Sequence, residues 1–142
     1  MVVAATLNHD PERIRQLFSA FFQQLFADSE LRDGFATVGK VVEMRYHHPE
    51  ICFLLDLRGE APAYIDCTGD PSPQPSDIQV EMDWETAHEF WKDKLDVIMA
   101  FIGQRIKATG STEALLQLRP YFKSAARLYS SLSSGLEAPN GA

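Results

Sequence analysis

The chain has 142 residues, enough for a single domain with one core, and its 45% hydrophobic and 23% charged residues are those of an ordinary soluble globular protein. Thirteen Lys and Arg against twenty Asp and Glu leave a formal charge of −7. That argues against duplex nucleic acid, whose affinity for proteins comes mostly from basic groups neutralising phosphates, and it does not favour an anionic membrane surface. The longest uninterrupted apolar run, Val97 to Ile102, is far short of the ~20 residues a spanning helix needs, so no stable membrane insertion is expected. The start, Met1-Val-Val-Ala-Ala, has neither the basic region nor the apolar stretch of a secretory signal.

Residues 1–9 read as a loose leader. Asp10 is a good N-cap and Pro11 suits the first helical position. Behind them Ile14, Leu17, Phe18, Phe21, Phe22, Leu25 and Phe26 recur at helical spacing, which predicts a helix from Pro11 to about Ala27 with one apolar face. Val41 to His48 alternates weakly, and Ile51 to Arg58 alternates well, with Ile51, Phe53, Leu55 and Leu57 on one side. Gly59-Glu60 turns the chain and Ala61 to Thr68 returns. A two-residue turn there would set Cys52 opposite Cys67. A three-residue turn pairs Leu55 with Ile65 and Phe53 with Cys67 and matches the faces better. A one-residue slip moves every side chain to the other face, so the second register is expected. Both cysteines then serve as small core hydrophobes with free thiols, in a reduced, cytoplasmic protein.

Asp70 to Ser76 carries three prolines, which lack the donor a ladder needs, and is a loop. Ile78 to Met82 is the next strand, with Ile78, Val80 and Met82 on one face. Four strands in series, joined by turns, predict an antiparallel meander. Trp84 to Lys94 reads as a helix with Ala87, Phe90 and Trp91 inward, and Leu95 to Ile102 as a shorter apolar helix stopped by Gly103. Gln104 to Thr109 suits a fifth strand. Gly110 turns the chain, and Ser111 or Thr112 can cap a helix through Leu118. Pro120 opens a last helix that carries Tyr121, Phe122, Ala125, Leu128, Tyr129 and Leu132 to Ser134, and Gly135 ends it. That wide aromatic face predicts either a lid over a cavity mouth or the interface of a homodimer. Residues 135–142 read as a flexible tail.

Groups for covalent chemistry do not assemble in this pattern. His47 and His48 are adjacent on a strand, point to opposite faces and so do not ligate one metal together. Asp83, Glu85 and Glu89 surround a helix start, where carboxylates are favoured by the helix dipole. No Gly-x-Ser-x-Gly elbow, phosphate-cradling glycine loop or Cys-x-x-Cys is present. No catalytic residue, metal site or cofactor is therefore expected. The large apolar side chains between Met82 and Ile106, unaccompanied by catalytic groups, point instead to holding an apolar molecule.

The order from Asp77 to Leu118 resembles the sterol carrier protein 2 family of lipid-binding domains. The resemblance rests on Asp77-Ile78-Gln79-Val80-Glu81-Met82, on Phe90-Trp91-Lys92-Asp93-Lys94-Leu95-Asp96, on Ala100-Phe101-Ile102-Gly103, and on Ile106-Lys107-Ala108-Thr109-Gly110 followed by Ala114-Leu115-Leu116-Gln117-Leu118. The upstream helix and sheet also fit the family's order, so it covers about Pro11 to Leu118. Two glycines depart from the pattern: Asp93 stands where one is expected before the short helix. Gly103 sits one position early, with Gln104 in its place before the fifth strand. The resemblance implies an α+β fold, a five-stranded and mostly antiparallel sheet covered by helices with an apolar tunnel, in a single domain over residues 10–134. It implies a non-catalytic carrier of a long-chain apolar ligand such as a fatty acid, acyl-CoA, sterol or isoprenoid. Carried over by position, the lining residues are Met82, Phe90, Trp91, Leu95, Ile98, Met99, Phe101 and Ile106. The alternative is a regulatory or scaffolding subunit of the same fold that uses its last helix as a partner surface.

Overall fold

A computed structural model describes residues 7–70 and 73–137. Residues 1–6 of the leader expected over 1–9, and 138–142 of the tail expected over 135–142, lie outside the described residues, as do Pro71 and Ser72 of the proline-rich loop. Helix α1 spans Pro11–Ala27, with the Asp10 carboxylate accepting from the Glu12 amide and Pro11 in the first turn. Its buried face is Ile14, Leu17, Phe18, Phe21, Phe22 and Leu25. A second helix, α2 over Ser29–Ala36, was not expected. Asp28 ends α1 and also caps α2 by accepting from the Leu31 amide at 3.0 Å. Strands β1 (Val41–His47), β2 (Ile51–Asp56), β3 (Ala63–Asp66) and β4 (Ile78–Asp83) follow, then α3 (Trp84–Trp91), α4 (Val97–Ile102) and β5 (Ile106–Gly110). A 3-10 helix over Thr112–Tyr121 leads into α5, Phe122–Ser133, and one further turn, Ser134–Leu136. Pro120 has no N–H to bond back along an α-helix, so the α-type ladder begins only after it.

The fold is α+β, and its sheet runs β3-β2-β1-β4-β5. Three of the four pairings are antiparallel, but β4 lies parallel to β1, so the expected meander is corrected to a mixed sheet. The reason is burial. Beside β1, the apolar positions Ile78, Val80 and Met82 fall level with Val42, Met44 and Tyr46 and extend one continuous apolar face. Beside the four-residue edge strand β3 they would not have done so. Asp77 fastens the start of the seam: its amide donates to the Val41 carbonyl at 2.8 Å, and its carboxylate accepts from the Val41 amide at 2.9 Å. Gly110 closes the same corner at φ +89, where a Cβ would run into the Asp77 carbonyl.

The β2–β3 register is also corrected. Leu55 faces Tyr64 and Phe53 faces Asp66, one residue away from the expected pairing. Tyr64, with its larger ring, takes the core side, where it lies 6.0 Å from Phe22 and 6.4 Å from Phe53, and Ile65 is left 45% exposed. Cys52 and Cys67 consequently face each other after all. The Cys67 amide donates to the Cys52 carbonyl, and the two sulfurs are 3.1 Å apart. Both are buried free thiols in a small cluster with Val41 and Leu54, separate from the main core. Burial and the neighbouring Cys67 push the Cys52 thiol up to about 12.

The main core is centred on Phe18, whose ring lies 5.1–6.5 Å from those of Phe21, Phe22, Tyr46, Phe53, Trp84 and Tyr129. Several polar edges within it are paired. Trp91 Nε1 donates to the Tyr46 hydroxyl, Trp84 Nε1 to the Asn8 carbonyl, and His88 Nδ1 lies 2.8 Å from the Tyr129 hydroxyl. Helix α5 packs on α1 and α3 and buries Ala125, Ala126, Tyr129 and Ser133. Its inner face is part of the core. Leu7 packs against the core, and the Asn8 amide bonds to the Leu136 carbonyl, so both ends of the described chain close on the same bundle.

Asp93 and Gln104, the residues that stand where glycine was expected, have φ of +59 and +61. The backbone keeps the left-handed turn although the glycines are gone. Aspartate tolerates that region; glutamine does so less readily, at a cost of roughly 1–2 kcal/mol, against which glycine loses roughly 0.5–1 kcal/mol of chain entropy. Gln104→Gly is therefore expected to stabilise the protein by up to about 1 kcal/mol. Urea unfolding should show a higher midpoint at unchanged slope. A lower midpoint would mean that the glutamine side chain contributes more than its backbone costs.

Candidate functional site

The helices do not cover the whole apolar face of the sheet. At the end where Tyr46, Ile51 and Phe53 lie, α1 and α3 close it. At the other end Val42 and Met44 of β1, Leu55 of β2, Leu57, Val80 and Met82 of β4, and Ile106 and Ala108 of β5 form the floor of a cavity of about 830 Å³. Phe35 of α2, Phe90 and Trp91 of α3, Val97, Ile98 and Phe101 of α4, and Phe122 of α5 form its sides. The volume falls in the range of small-molecule sites, which run from roughly 300 to 1,000 Å³. A second depression of about 410 Å³, walled by Gln24, Asp28, Glu30, Leu31, Ser124, Arg127 and Leu128, is mostly polar and lies away from the sheet.

The last wall is the 3-10 helix. With three residues per turn, residues i and i+3 eclipse, so its side chains fall into three straight rows. Two of these line the cavity, Thr112, Leu115, Leu118 and Glu113, Leu116, Arg119; the third, Ala114, Gln117 and Pro120, does not. An α-helix here would have dispersed both rows. Thr112, Glu113 and Arg119 supply the polar side chains of the lining, and among the described residues neither Glu113 nor Arg119 has an ion-pair partner within 4.0 Å.

Of the eight residues carried over from the resemblance, Met82, Phe90, Trp91, Ile98, Phe101 and Ile106 stand on this wall. Leu95 instead packs half-buried against the core, and Met99 points outward, 59% exposed. Sequence reasoning missed the floor residues of β1 and β2, because alternation shows which face of a strand is apolar and not which end of that face stays uncovered. Phe35 was missed with α2. The two 3-10 rows carried a signal, apolar residues recurring every three positions at Leu115 and Leu118, that an α-helical reading overlooks.

The polar groups weighed in the sequence are placed elsewhere. His47 lies between Glu50, at 2.8 Å from Nδ1, and Glu81, at 3.4 Å from Nε2, and its pKa is raised, chiefly by the hydrogen bond to Glu50. His48 turns toward Asp83 at 3.4 Å. Glu85 pairs with His9 and Glu89 with Arg105. Among the described residues no group of three or more His, Cys, Asp and Glu is arranged to hold a metal ion, and no helix is long and apolar enough to cross a membrane.

No family model matches the chain, and no curated protein matches it in sequence. Solved structures match it in fold. The sterol carrier protein domain 2 of Helicoverpa armigera superimposes with a TM-score of 0.65 at 15% identity, over 83% of this chain and 93% of that one. Sterol carrier protein 2 from Yarrowia lipolytica, in its apo form, gives 0.58 at 12% identity, over 89% and 97%. The sec-alkylsulfatase Pisa1 from Pseudomonas sp. gives 0.52 at 19% identity, over 74% of this chain but 15% of that much longer one. The chain thus has the sterol carrier protein 2 fold, which also occurs as part of a larger enzyme.

Proposed function

We propose that this chain is a non-catalytic carrier that holds one long-chain apolar molecule, a fatty acid, acyl-CoA, sterol or isoprenoid, in the cavity over the open end of its sheet. Residues 10–134 act as one binding domain, and Met82, Phe90, Trp91, Ile98, Phe101 and Ile106 contact the ligand. The observation that carries this reading is the cavity itself: about 830 Å³ walled almost entirely by apolar side chains, in a fold shared with sterol carrier proteins. A closely packed domain has few voids larger than a water molecule, so a space of this size that is not filled by side chains is there for something else. Two cysteines in 142 residues suit a reducing, cytoplasmic setting.

The magnitudes permit useful affinity. Each buried CH₂ contributes roughly 0.8 kcal/mol, so ten supply about 8 kcal/mol before the entropy of binding is subtracted. Micromolar binding corresponds to about 8 kcal/mol, so a chain somewhat longer than ten carbons is required. A fluorescent fatty acid titrated at low salt is expected to bind with micromolar or tighter Kd, more tightly as the chain lengthens to the limit of the cavity. A flat response across several chain lengths would rule the carrier reading out.

A further inference from the structure

The sheet carries a second buried cluster on the face turned away from the cavity. Phe53 and Leu55 of β2 point to the main core, so Cys52 and Leu54 point the other way, where they meet Val41 of β1 and Cys67. Both cysteines are buried, and neither is on the cavity wall. Phe53 pairs with Asp66, and the same register carried one residue further sets Cys52 opposite Cys67. Residues directly opposite in an antiparallel pair have Cα atoms about 4.5–5.5 Å apart, inside the ~4.4–6.8 Å that a disulfide spans. The two side chains point to the same face, with their sulfurs 3.1 Å apart. The turn after β3 holds this placement: the Thr68 hydroxyl accepts from the Cys52 amide at 3.0 Å, and the Cys67 carbonyl accepts from the Asp70 amide at 3.0 Å. Among the described residues no third His, Cys, Asp or Glu joins the pair to hold a metal ion.

We propose that Cys52 and Cys67 are a site of oxidative modification, at which a peroxide converts the two thiols into a disulfide that locks β3 onto β2. One thiolate attacks the peroxide O–O bond, which breaks to give a cysteine sulfenic acid and releases water or an alcohol. The second thiolate attacks the sulfenic sulfur and expels hydroxide, which leaves as water. Two thiols and one peroxide thus give one disulfide and two small hydroxylic products; sulfur is oxidised and the peroxide is reduced. Burial keeps the Cys52 thiol protonated while the strands are paired, so the first step proceeds from an opened form. Strand β3 is built to open: it has four residues, lies at the edge of the sheet and buries none of its side chains fully. When it closes again, the sulfenic acid returns to contact with the second thiol, and that proximity favours the disulfide over further oxidation. The rate is therefore set by how often β3 opens, and the pair responds to sustained rather than brief exposure. The cysteines are 15 positions apart, so the bond closes a loop long enough to restrain the unfolded chain, and the oxidised form is the more stable one.

The test is treatment of the folded full-length chain with hydrogen peroxide, followed by thiol counting in denaturant, peptide mapping and thermal melting. Both thiols are expected to be lost, and the peptides holding Cys52 and Cys67 to be joined within one chain. The melting midpoint is expected to rise by about 5–10 °C, and dithiothreitol should return both thiols and the original midpoint. Methionine oxidation is not reversed by dithiothreitol, so the reversible part of the shift belongs to the cysteines. Cys67→Ala treated in the same way should show no reversible rise. Two thiols that survive a peroxide dose sufficient to oxidise the urea-unfolded chain overturn the proposal. So do cysteines that take up oxygen without joining, a bond formed between two chains, or a disulfide that lowers the melting midpoint.

Discussion

A chain ended after Leu118 is expected not to fold. The segment removed brings Tyr129 and Leu136, both buried, and Tyr121, Phe122, Leu128 and Leu132, which pack half-buried against the core. Full burial of such a side chain contributes roughly 1.5–3 kcal/mol, so the six together, four of them half-buried, are comparable to the ~5–15 kcal/mol by which a domain of this kind is stable. The loss is also structural. Tyr129 meets the rings of Phe18 and Phe21 at 5.8 and 5.3 Å and the His88 ring nitrogen at 2.8 Å, so its removal strips one side of α1 and leaves His88 without that partner. The outcome separates this packing from the two roles expected for the last helix on sequence. A lid would leave a folded chain that releases ligand faster, and an interface would leave a folded monomer. Circular dichroism and thermal melting of the truncated chain decide it: a cooperative melt would show that α5 is dispensable, and the account of the core given above would fail.

Phe18→Ala is expected to cost about 3–5 kcal/mol, near the top of the range for a single core substitution. Phe18 is fully buried and touches six other aromatic rings drawn from α1, β1, β2, α3 and α5, so no single neighbour can collapse into the space it leaves. The urea midpoint should fall at unchanged slope. Phe18 is not on the cavity wall. Below its unfolding transition the variant should therefore bind a fatty-acid probe with nearly wild-type affinity. A large loss of affinity together with the loss of stability would mean that the aromatic hub and the cavity are one unit.

Local features were legible in the sequence to the extent that local physics sets them. Asp10, Pro11 and the spacing from Ile14 to Leu25 were enough for α1, because cap and periodicity act over a few residues. Strand alternation placed Ile51, Phe53, Leu55 and Leu57 on one face, as found. Helix α2 escaped because eight residues make little more than two turns, too short a stretch for periodicity to stand out, and because Asp28, which also ends α1, hid the new cap. The parallel β1–β4 seam and the β2–β3 register are settled by competition for burial between residues distant in the chain: Met82 level with Tyr46, and Tyr64 against Ile65. No local rule weighs such contests. For the candidate site, the resemblance located the α3, α4 and β5 walls, but the sheet floor and the two rows of the 3-10 helix depend on which part of the apolar face the helices leave uncovered.

The contact between α1 and α5 also sets an order of events during synthesis. Phe18 leaves the ribosome more than a hundred residues ahead of Tyr129, against which it packs. For most of translation the phenylalanine face of α1 has no complete partner, and vectorial folding from the N-terminus cannot bury it. The nascent chain is thus exposed to aggregation until α5 emerges, and the yield of soluble protein depends on how quickly the stretch from α1 to α5 is translated and on what shields Phe18, Phe21 and Phe22 in the meantime.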